Sequence, residues 1–358
     1  MVIESLELKD FRNYEYLKMD FSPSTNILFG KNGQGKTNIL ESIYLSATTR
    51  SHRGSKDREM IRFTCDEAHV LSHVKKNLSS VKLDIHLRNK ASKGVAINHV
   101  PVRRASDLFG VFSCIVFSPE DLSIVKSGPK ERRRFIDREL SQIDKVYLSD
   151  LSNYNKALNH RNRLLKEIYF EPSLRDTLDV WDEQLVTYGS RVIDSREKFI
   201  LELNKLVESI YFHISGGREN IKIYYNKNTE IGSFKDSLSS LKERDFSLRT
   251  THVGPHRDDI SFMSGNMNMR KYGSQGQQRT CAVVLKLAQI ELVKKKLNEK
   301  PVLLLDDVLS ELDRDRQNFL MDYIKDVQTI ITTTGIDDFV KDRLKIDNIY
   351  EIKEGKIV

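Results

Sequence analysis

Gly30, Lys31, Asn32, Gly33, Gln34, Gly35, Lys36 and Thr37 stand in succession, a run of the form G-x-x-x-x-G-K-S/T. Glycines let the backbone curl until successive N–H groups face one point, and a helix starting there adds its positive end. Such a cradle suits the phosphates of a nucleotide. Lys36 is placed for the β- and γ-phosphates and the Thr37 hydroxyl for Mg²⁺. A second constellation lies far along the chain, where Pro301, Val302, Leu303, Leu304 and Leu305 lead into Asp306 and Asp307. A buried parallel strand delivers carboxylates so placed to the C-terminal edge of its sheet, where nucleotides bind. Asp306 is the expected Mg²⁺ ligand, directly or through water. Asp307 is the residue expected to orient or deprotonate an attacking water.

Between these motifs, residues 271–280 read Lys-Tyr-Gly-Ser-Gln-Gly-Gln-Gln-Arg-Thr, followed by a helical apolar run over 281–294. Ser274, Gly276 and Gln277 sit where that helix begins, and hydroxyl, backbone N–H groups and helix dipole there suit a phosphate. An ordinary serine cap is the plainer reading of the same residues.

The elements that must position these groups follow from pattern. Residues 25–29 read as a short buried strand before the glycine loop and 38–47 as the helix after it. Ser310, Glu311, Leu312 and Asp313 open a further helix, and 329–334 read as another buried strand with polar groups at its end. Segments 81–87, 95–102 and 111–117 read as strands of an antiparallel region. Ile136, Leu140, Ile143, Tyr147, Leu151, Tyr154, Leu158, Leu165 and Ile168 form one stripe along a long helix. Glu171, Pro172 and Ser173 interrupt it, and a second stripe runs from Trp181 through Leu185, Val192, Phe199 and Leu203 to Ile210. Two such helices pack as an antiparallel pair in a compact lobe. Segments 220–225 and 246–250 read as strands returning the chain. The expected organisation is a discontinuous head, 1–125 and 249–358, with a mainly helical lobe, 126–248, inserted.

Composition narrows the partners. The 358 residues exceed the usual single-domain size, which predicts two lobes. No apolar run approaches the roughly 18 residues that cross a bilayer, and the N-terminus lacks a signal-peptide pattern, so no membrane partner is expected. Cys65, Cys114 and Cys281 make no close pair or metal-ligand cluster, which suits a reducing cytoplasm. The net charge is +7 and the pI about 9.0. Residues 50–107 hold 13 Lys/Arg against 6 Asp/Glu, residues 126–163 hold 10 against 5, and residues 301–358 hold 8 against 13. The first two stretches make a phosphate-backbone footprint, with Arg50, Arg53, Arg103, Arg104, Lys130, Arg132, Arg133 and Arg134 as the expected DNA contacts. For any single basic residue a solvated charged face is the bland alternative. His252, His256, Asp258 and Asp259 could be grouped as a metal cluster; a rigid turn at Gly254 and Pro255 is the preferred reading.

Phosphate loop, Ser-x-Gly-Gln helix start, apolar strand with two acids and Ser-x-x-Asp follow the order of ABC-type ATPases. The opening run 3–14 with Phe11, Arg12, Asn13 and Tyr14, the triplet Ser51, His52 and Arg53, and the segments 117–122, 132–137, 254–259 and 272–278 together resemble the RecF family of the SMC superfamily. The similarity spans essentially the whole chain. It implies an α/β fold, an ABC-type P-loop ATPase head with an antiparallel β region and an inserted helical lobe, using ATP and Mg²⁺. It implies binding of single-stranded, gapped and duplex DNA, partnership with RecR and RecO in loading RecA, and an ATP-dependent homodimer. In that dimer Ser274, Gly276 and Gln277 would complete the site of the opposite subunit. It also places the turn of Arg12 and Asn13 beside the nucleotide.

Three departures from a typical ABC ATPase bear on rate. Asp307 stands where Glu is usual, the signature is Gly-Ser-Gln-Gly-Gln, and Thr332, Thr333 and Thr334 occupy the region of the switch His. RecF proteins share these departures, and they predict slow hydrolysis. The competing reading is the ATPase subunit of a membrane transporter, disfavoured by the missing His, the long insert and the N-terminal opening. A structural tether is disfavoured because the insert is too short to span distance.

Overall fold

Strands buried on both faces carry unbroken apolar runs, whereas strands with one wet face alternate, and the chain contains both kinds. The structure, a computed structural model, describes residues 1–77, 79–217, 219–335 and 346–358. Its strands are β1 (Val2–Phe11), β2 (Tyr14–Asp20), β3 (Thr25–Phe29), β4 (Glu67–Lys75), β5 (Ser80–Arg88), β6 (Gly94–Ile97), β7 (Val100–Pro101), β8 (Cys114–Phe117), β9 (Lys222–Asn226), β10 (Asp259–Ser264), β11 (Met267–Asn268), β12 (Val302–Asp306), β13 (Thr329–Thr333), β14 (Ile346–Lys353) and β15 (Lys356–Ile357). The chain divides into two units, Met1–Ser123 with Arg279–Val358, and Ile124–Gln278.

The first unit contains two sheets. One has the order β15-β14-β3-β13-β12-β8, and all its pairings are parallel except β14 with β15. β12 is buried at every position from Val302 to Asp306, so its polar end can only be the carboxylate that terminates it. The other sheet is antiparallel, in the order β2-β1-β4-β5-β6-β7. Along β1, Leu6 and Leu8 are buried while Glu7 and Lys9 are not, the period of two expected of a one-sided strand. Leu6, Val70 and Ile85 of this sheet join Leu28, Leu304 and Ile330 of the other and Ile39 and Ile43 of the helix Lys36–Thr48 in one core. The fold is thus α/β. One expected strand changes place: within 111–117, only Cys114–Phe117 forms a strand, and it pairs parallel with β12 instead of joining the antiparallel sheet. Its four consecutive buried residues offer no polar face to water, so only a two-sided position satisfies it.

The second unit is built on the helices Pro129–Ile143, Lys145–Glu167 and Leu178–Ile214. The stripe read as one helix is broken at Asp144, whose carboxylate accepts from the backbone N–H groups of Val146 at 2.9 Å and Tyr147 at 3.0 Å. Such a cap satisfies orphan donors and restarts a helix in a new direction. Gly189 permits the close packing of the longest helix: a Cβ there would come within 2.5 Å of Phe234 Cε1 and 3.0 Å of Tyr154 Cε2. Segment 246–250, expected as a strand, instead ends the helix Lys242–Leu248, with Arg249 in the left-handed region as its cap. β9 pairs antiparallel with β10. Through that pairing, residues preceding Gln278 that had been read with the head make their backbone bonds in the second unit.

Candidate nucleotide site

The glycine loop joins β3 to the helix Lys36–Thr48, and its conformation requires glycine. Gly30 has φ 148°, and a Cβ there would lie 2.3 Å from the carbonyl oxygen of Ile352. Gly35 has φ 115°, and a Cβ would meet the Asn13 amide and the Tyr14 hydroxyl at 2.6 Å. Three neighbours hold the loop from behind. Asn13 Nδ2 donates to the Gln34 carbonyl at 3.0 Å, while Asn38 Nδ2 donates to Asn13 Oδ1 at 2.8 Å. The turn between β14 and β15 adds donors from Glu354 N to Gln34 Oε1 at 2.6 Å and from Gly355 N to the Gln34 carbonyl at 3.2 Å. The loop is thereby preorganised with its concave side left to a ligand. A pocket is lined by Asn32, Gly33, Gln34, Gly35, Lys36, Thr37, Asn38, Arg53 and Asp307.

Lys36 is buried and donates to the carbonyls of Gly30 at 2.6 Å and Lys31 at 3.0 Å. Burial lowers its pKa, opposed by the charges of Asp307 and Asp306. The two acids end β12 and differ in environment. Asp306 Oδ1 accepts from Thr37 Oγ1 at 2.8 Å and from Thr332 Oγ1 at 2.9 Å, a tie that joins the loop helix to β12 and β13. Asp307 has φ 52°, held by its N–H donating to Thr332 Oγ1 at 3.0 Å. A non-glycine residue in that region costs about 1 kcal/mol, a cost commonly found at functional sites. Burial raises the Asp307 pKa; Lys36 opposes the rise and Asp306 adds to it.

These residues fit a magnesium nucleotide. Hydroxyl and carboxylate oxygens 2.8 Å apart are a hard donor set for Mg²⁺, and the glycine cradle with Lys36 suits a polyphosphate. When bound, Mg²⁺ would neutralise phosphate charge, held by Thr37 and Asp306.

Several expected site residues also make structural bonds. Arg12 sits in the two-residue turn between β1 and β2, and its Nε and Nη2 donate to Glu41 at 2.7 Å each; Nη2 also reaches Ser55 Oγ and Nη1 the Glu59 carbonyl. Through these bonds Arg12 braces residues 51–60 against the loop helix. Asn13 likewise supports the loop through both ends of its amide. Glu41 is buried; burial alone would raise its pKa, but hydrogen bonds from Arg12 and Ser51 hold it below the ordinary value. The braced segment carries Arg53, read from charge as a DNA contact, into the lining of the pocket. It also brings His52 Nε2 to 3.9 Å from Asp306 Oδ2, edge-on to the Tyr44 ring. In the sequence His52 and Tyr14 stand out only within family-like segments, and the fold places His52 and Thr332 beside Asp306 and Tyr14 against Gly35.

Ser274 precedes the helix Gln275–Leu297 and forms a reciprocal cap with Gln277: Gln277 N donates to Ser274 Oγ at 3.2 Å and Ser274 N to Gln277 Oε1 at 3.0 Å. Gln277 Nε2 donates to Glu219 Oε1 at 3.0 Å. Gly276 lies in the first turn of that helix.

Of the basic residues, Arg50, Arg103, Arg104, Lys130 and Arg134 are exposed. Arg134 pairs with Glu131 on its own helix. Arg132 leaves the footprint: it is 2% exposed, and its fork donates to Asp259 at 2.6 and 2.8 Å. Arg133 is half-buried and donates to the Asp258 carbonyl at 2.7 Å. The grouped His252, His256, Asp258 and Asp259 are held apart as structural partners. Asp258 accepts from Arg196, Tyr225 and Asn228, and His256 lies between Tyr154 and the Thr251 carbonyl.

With this geometry in view, comparisons with known proteins are specific. The family model "RecF/RecN/SMC N terminal domain" matches residues 2–357. The "DNA replication and repair protein RecF" of Agathobacter rectalis is 55% identical over 357 residues, covering 100% of this chain and 99% of that protein. Its namesake from Lachnospira eligens is 52% identical over 360 residues, again covering 100% and 99%. A solved structure described as "the recombination mediator protein RecF-ATPrS in RecFOR pathway" superposes with a TM-score of 0.93 at 34% identity, covering 99% of this chain and 97% of that one. An SMC head bound to the winged-helix domain of ScpA superposes at 0.57 with 18% identity, a likeness of fold alone.

Proposed function

The chain belongs to the RecF family of DNA replication and repair proteins, and on that premise we propose that it is a slow, DNA-stimulated ATPase whose nucleotide state sets its grip on DNA. Family membership gives ATP binding, an ATPase head and a place in recombinational repair; it replaces the transporter reading. Our reading adds Mg²⁺ on Thr37 and Asp306, single-stranded or gapped duplex DNA as the target, and RecR and RecO as mediators in loading RecA. Among the described residues no helix is long and apolar enough to cross a membrane.

The observation that carries the reading is the shared hydrogen-bonded tie of Thr37 and Thr332 on Asp306. It holds the Mg²⁺ donors in register with Lys36 on one side and Asp307 on the other. Lys36 supplies positive charge to the β- and γ-phosphates. Asp307 orients a water and accepts its proton, and its raised pKa suits that role at neutral pH. Asp is one methylene shorter than the usual Glu, which favours slow turnover. Arg53, as part of the lining, is a further phosphate contact in this reading. DNA contacts fall to Arg50, Arg103, Arg104, Lys130 and Arg134, with Arg133 at the margin.

The switch is a homodimer. Ser274, Gly276 and Gln277 present a hydroxyl and a helix N-terminus that would meet the γ-phosphate held by Lys36 of a second copy. Sedimentation with ATP and Mg²⁺, with and without DNA, tests it. The wild-type chain dimerises, and Ser274→Arg binds ATP as a monomer without hydrolysing it. A wild-type chain that stays monomeric at high concentration defeats the dimer. Asp307→Asn separates the chemistry from the assembly: it retains ATP and loses turnover by about 10²–10⁴-fold, and wild-type hydrolysis by that variant would remove Asp307 from the step.

A further inference from the structure

The outer face of the antiparallel sheet in the first unit carries a group of donors that the nucleotide site does not use. His69 on β4 and His86 on β5 are directly opposite in the register, and their rings stack with centroids 3.9 Å apart at 20°. Glu67, two residues before His69, points to the same face because side chains repeat every second residue along a strand. Its Oε2 lies 2.8 Å from His86 Nε2. One ligand atom from each of Glu67, His69 and His86 falls within 4.8 Å of the others. Gly94 is the partner of His86 on the next strand, so no Cβ stands on that side of the imidazole.

We propose that Glu67, His69 and His86 form a binding site for a borderline transition-metal dication, Zn²⁺ being the best fit. Two imidazoles and one carboxylate are a donor set that Zn²⁺, Co²⁺ and Cu²⁺ prefer and that Mg²⁺ and Ca²⁺ do not. Tetrahedral donors at zinc distances stand about 3.4 Å apart, so side-chain rotations that move the donor atoms by roughly 1 Å close the three around one ion. All three sit on two hydrogen-bonded strands, which fixes their backbones. Three protein donors leave a fourth position to water or to a ligand from outside, as in open zinc sites. The ion would pin β4 to β5 and place on that face a dication whose fourth position a phosphate oxygen could fill.

The charged surroundings supply an internal control. Lys9 is the register partner of His69 on β1, Asp84 stands two residues before His86, and Arg88 Nε and Nη2 contact His86 Nδ1 at 3.3 and 3.1 Å. With Nδ1 accepting from Arg88, the His86 proton is on Nε2, the atom facing Glu67. A metal on Nε2 requires that proton to leave Nε2 and the neutral ring to carry its proton on Nδ1, where it opposes the Arg88 donors. Arg88 therefore competes with the metal, and removing its charge strengthens the site.

The test is calorimetric titration of the full chain with ZnCl₂ in excess Mg²⁺, which occupies the nucleotide-site donors. One Zn²⁺ binds per chain. His69→Ala/His86→Ala abolishes that event, Glu67→Gln weakens it by on the order of tenfold, and Arg88→Gln tightens it. Substituting Co²⁺ gives the visible absorption of a low-coordinate site in the wild type and not in the double variant. The substituted side chains are on the wet face, so circular dichroism of the variants should match the wild type. A variant that loses its fold is replaced by His86→Gln, for which the same loss of the zinc event is expected. Zinc affinity unchanged in the double variant, no zinc event in the wild type, or weaker binding in Arg88→Gln overturns the proposal.

Discussion

The edge of the parallel sheet in the first unit and the interior of the second use the same charged residue types in opposite ways. At the sheet edge, Lys36 donates to the carbonyls of Gly30 and Lys31, Asp306 accepts from Thr37 and Thr332, and Lys36 and Asp307 line one pocket. In the second unit each buried guanidinium is enclosed. Arg161 is fully buried and donates to Asp182 at 2.5 Å, Asp245 at 2.6 Å and Thr251 at 2.9 Å. Arg196 donates to Asp137 at 2.8 Å, Asp258 at 3.2 Å, the Pro255 carbonyl at 2.7 Å and the Tyr147 hydroxyl at 3.1 Å. Burial depresses its pKa, but Asp137 and the groups beside it outweigh that and drive it well above the ordinary value. Conserving a charge inside a protein and offering one to a ligand are thus distinguished by partner geometry, not by residue type.

Unpairing a buried charge is the most damaging of these changes. Arg161→Ala leaves Asp245 and Asp182 without their cation and should lower the unfolding free energy by about 3–5 kcal/mol, read from urea denaturation followed in the second unit. Lys36→Ala should instead leave stability near wild type and raise the ATP dissociation constant by on the order of 100-fold, the loss of about 3 kcal/mol of charge-assisted contact. Titration with a fluorescent ATP analogue reads it, and unchanged affinity would remove Lys36 from the phosphate site.

Acid sharpens the contrast. Burial lowers the His256 pKa from 6.5 to about 4, and the neutral ring is satisfied by Tyr154 at 2.6 Å and the Thr251 carbonyl at 3.0 Å. The unfolded chain therefore binds the extra proton first as pH falls. Stability from this group is full above pH 6.5 and lost on the way down to about 4, by up to about 3 kcal/mol. The pH dependence of urea midpoints checks this, and His256→Gln should flatten it over that window. The smallest effect distinguishes neighbours on one helix. Arg134→Glu should change stability by less than about 0.5 kcal/mol while lowering DNA affinity and its salt slope. Arg132→Glu should unfold the second unit before any DNA effect can be measured, because it sets two carboxylates against each other in a buried position.

Much of the nucleotide site was legible because its chemistry is local. Eight consecutive residues build the loop, and only glycine tolerates the backbone at Gly30 and Gly35. An apolar strand ending in two acids announces β12 by composition alone. Legibility failed where a role depends on what lies across space. Arg12 and Arg53 are both arginines near the loop in sequence, yet Glu41 takes the first and leaves the second to line the pocket. Arg132 and Arg134 are two residues apart in one basic run, and the turn of the helix puts one against Asp259 and the other in water. The boundary at Asp144 was missed because an apolar stripe continues through a helix break.

The phosphate loop, the paired acids and the α/β class can be read from the chain alone, because each rests on short-range backbone freedom and on burial patterns that local composition encodes. Folding in three dimensions sets which cations are buried, ties Asp306 to Thr37 and Thr332, and puts two histidines 17 positions apart on one face. Hydrogen bonds and ion pairs fall off within a few ångströms, and strand pairing sets those distances between residues that no spacing along the chain brings together.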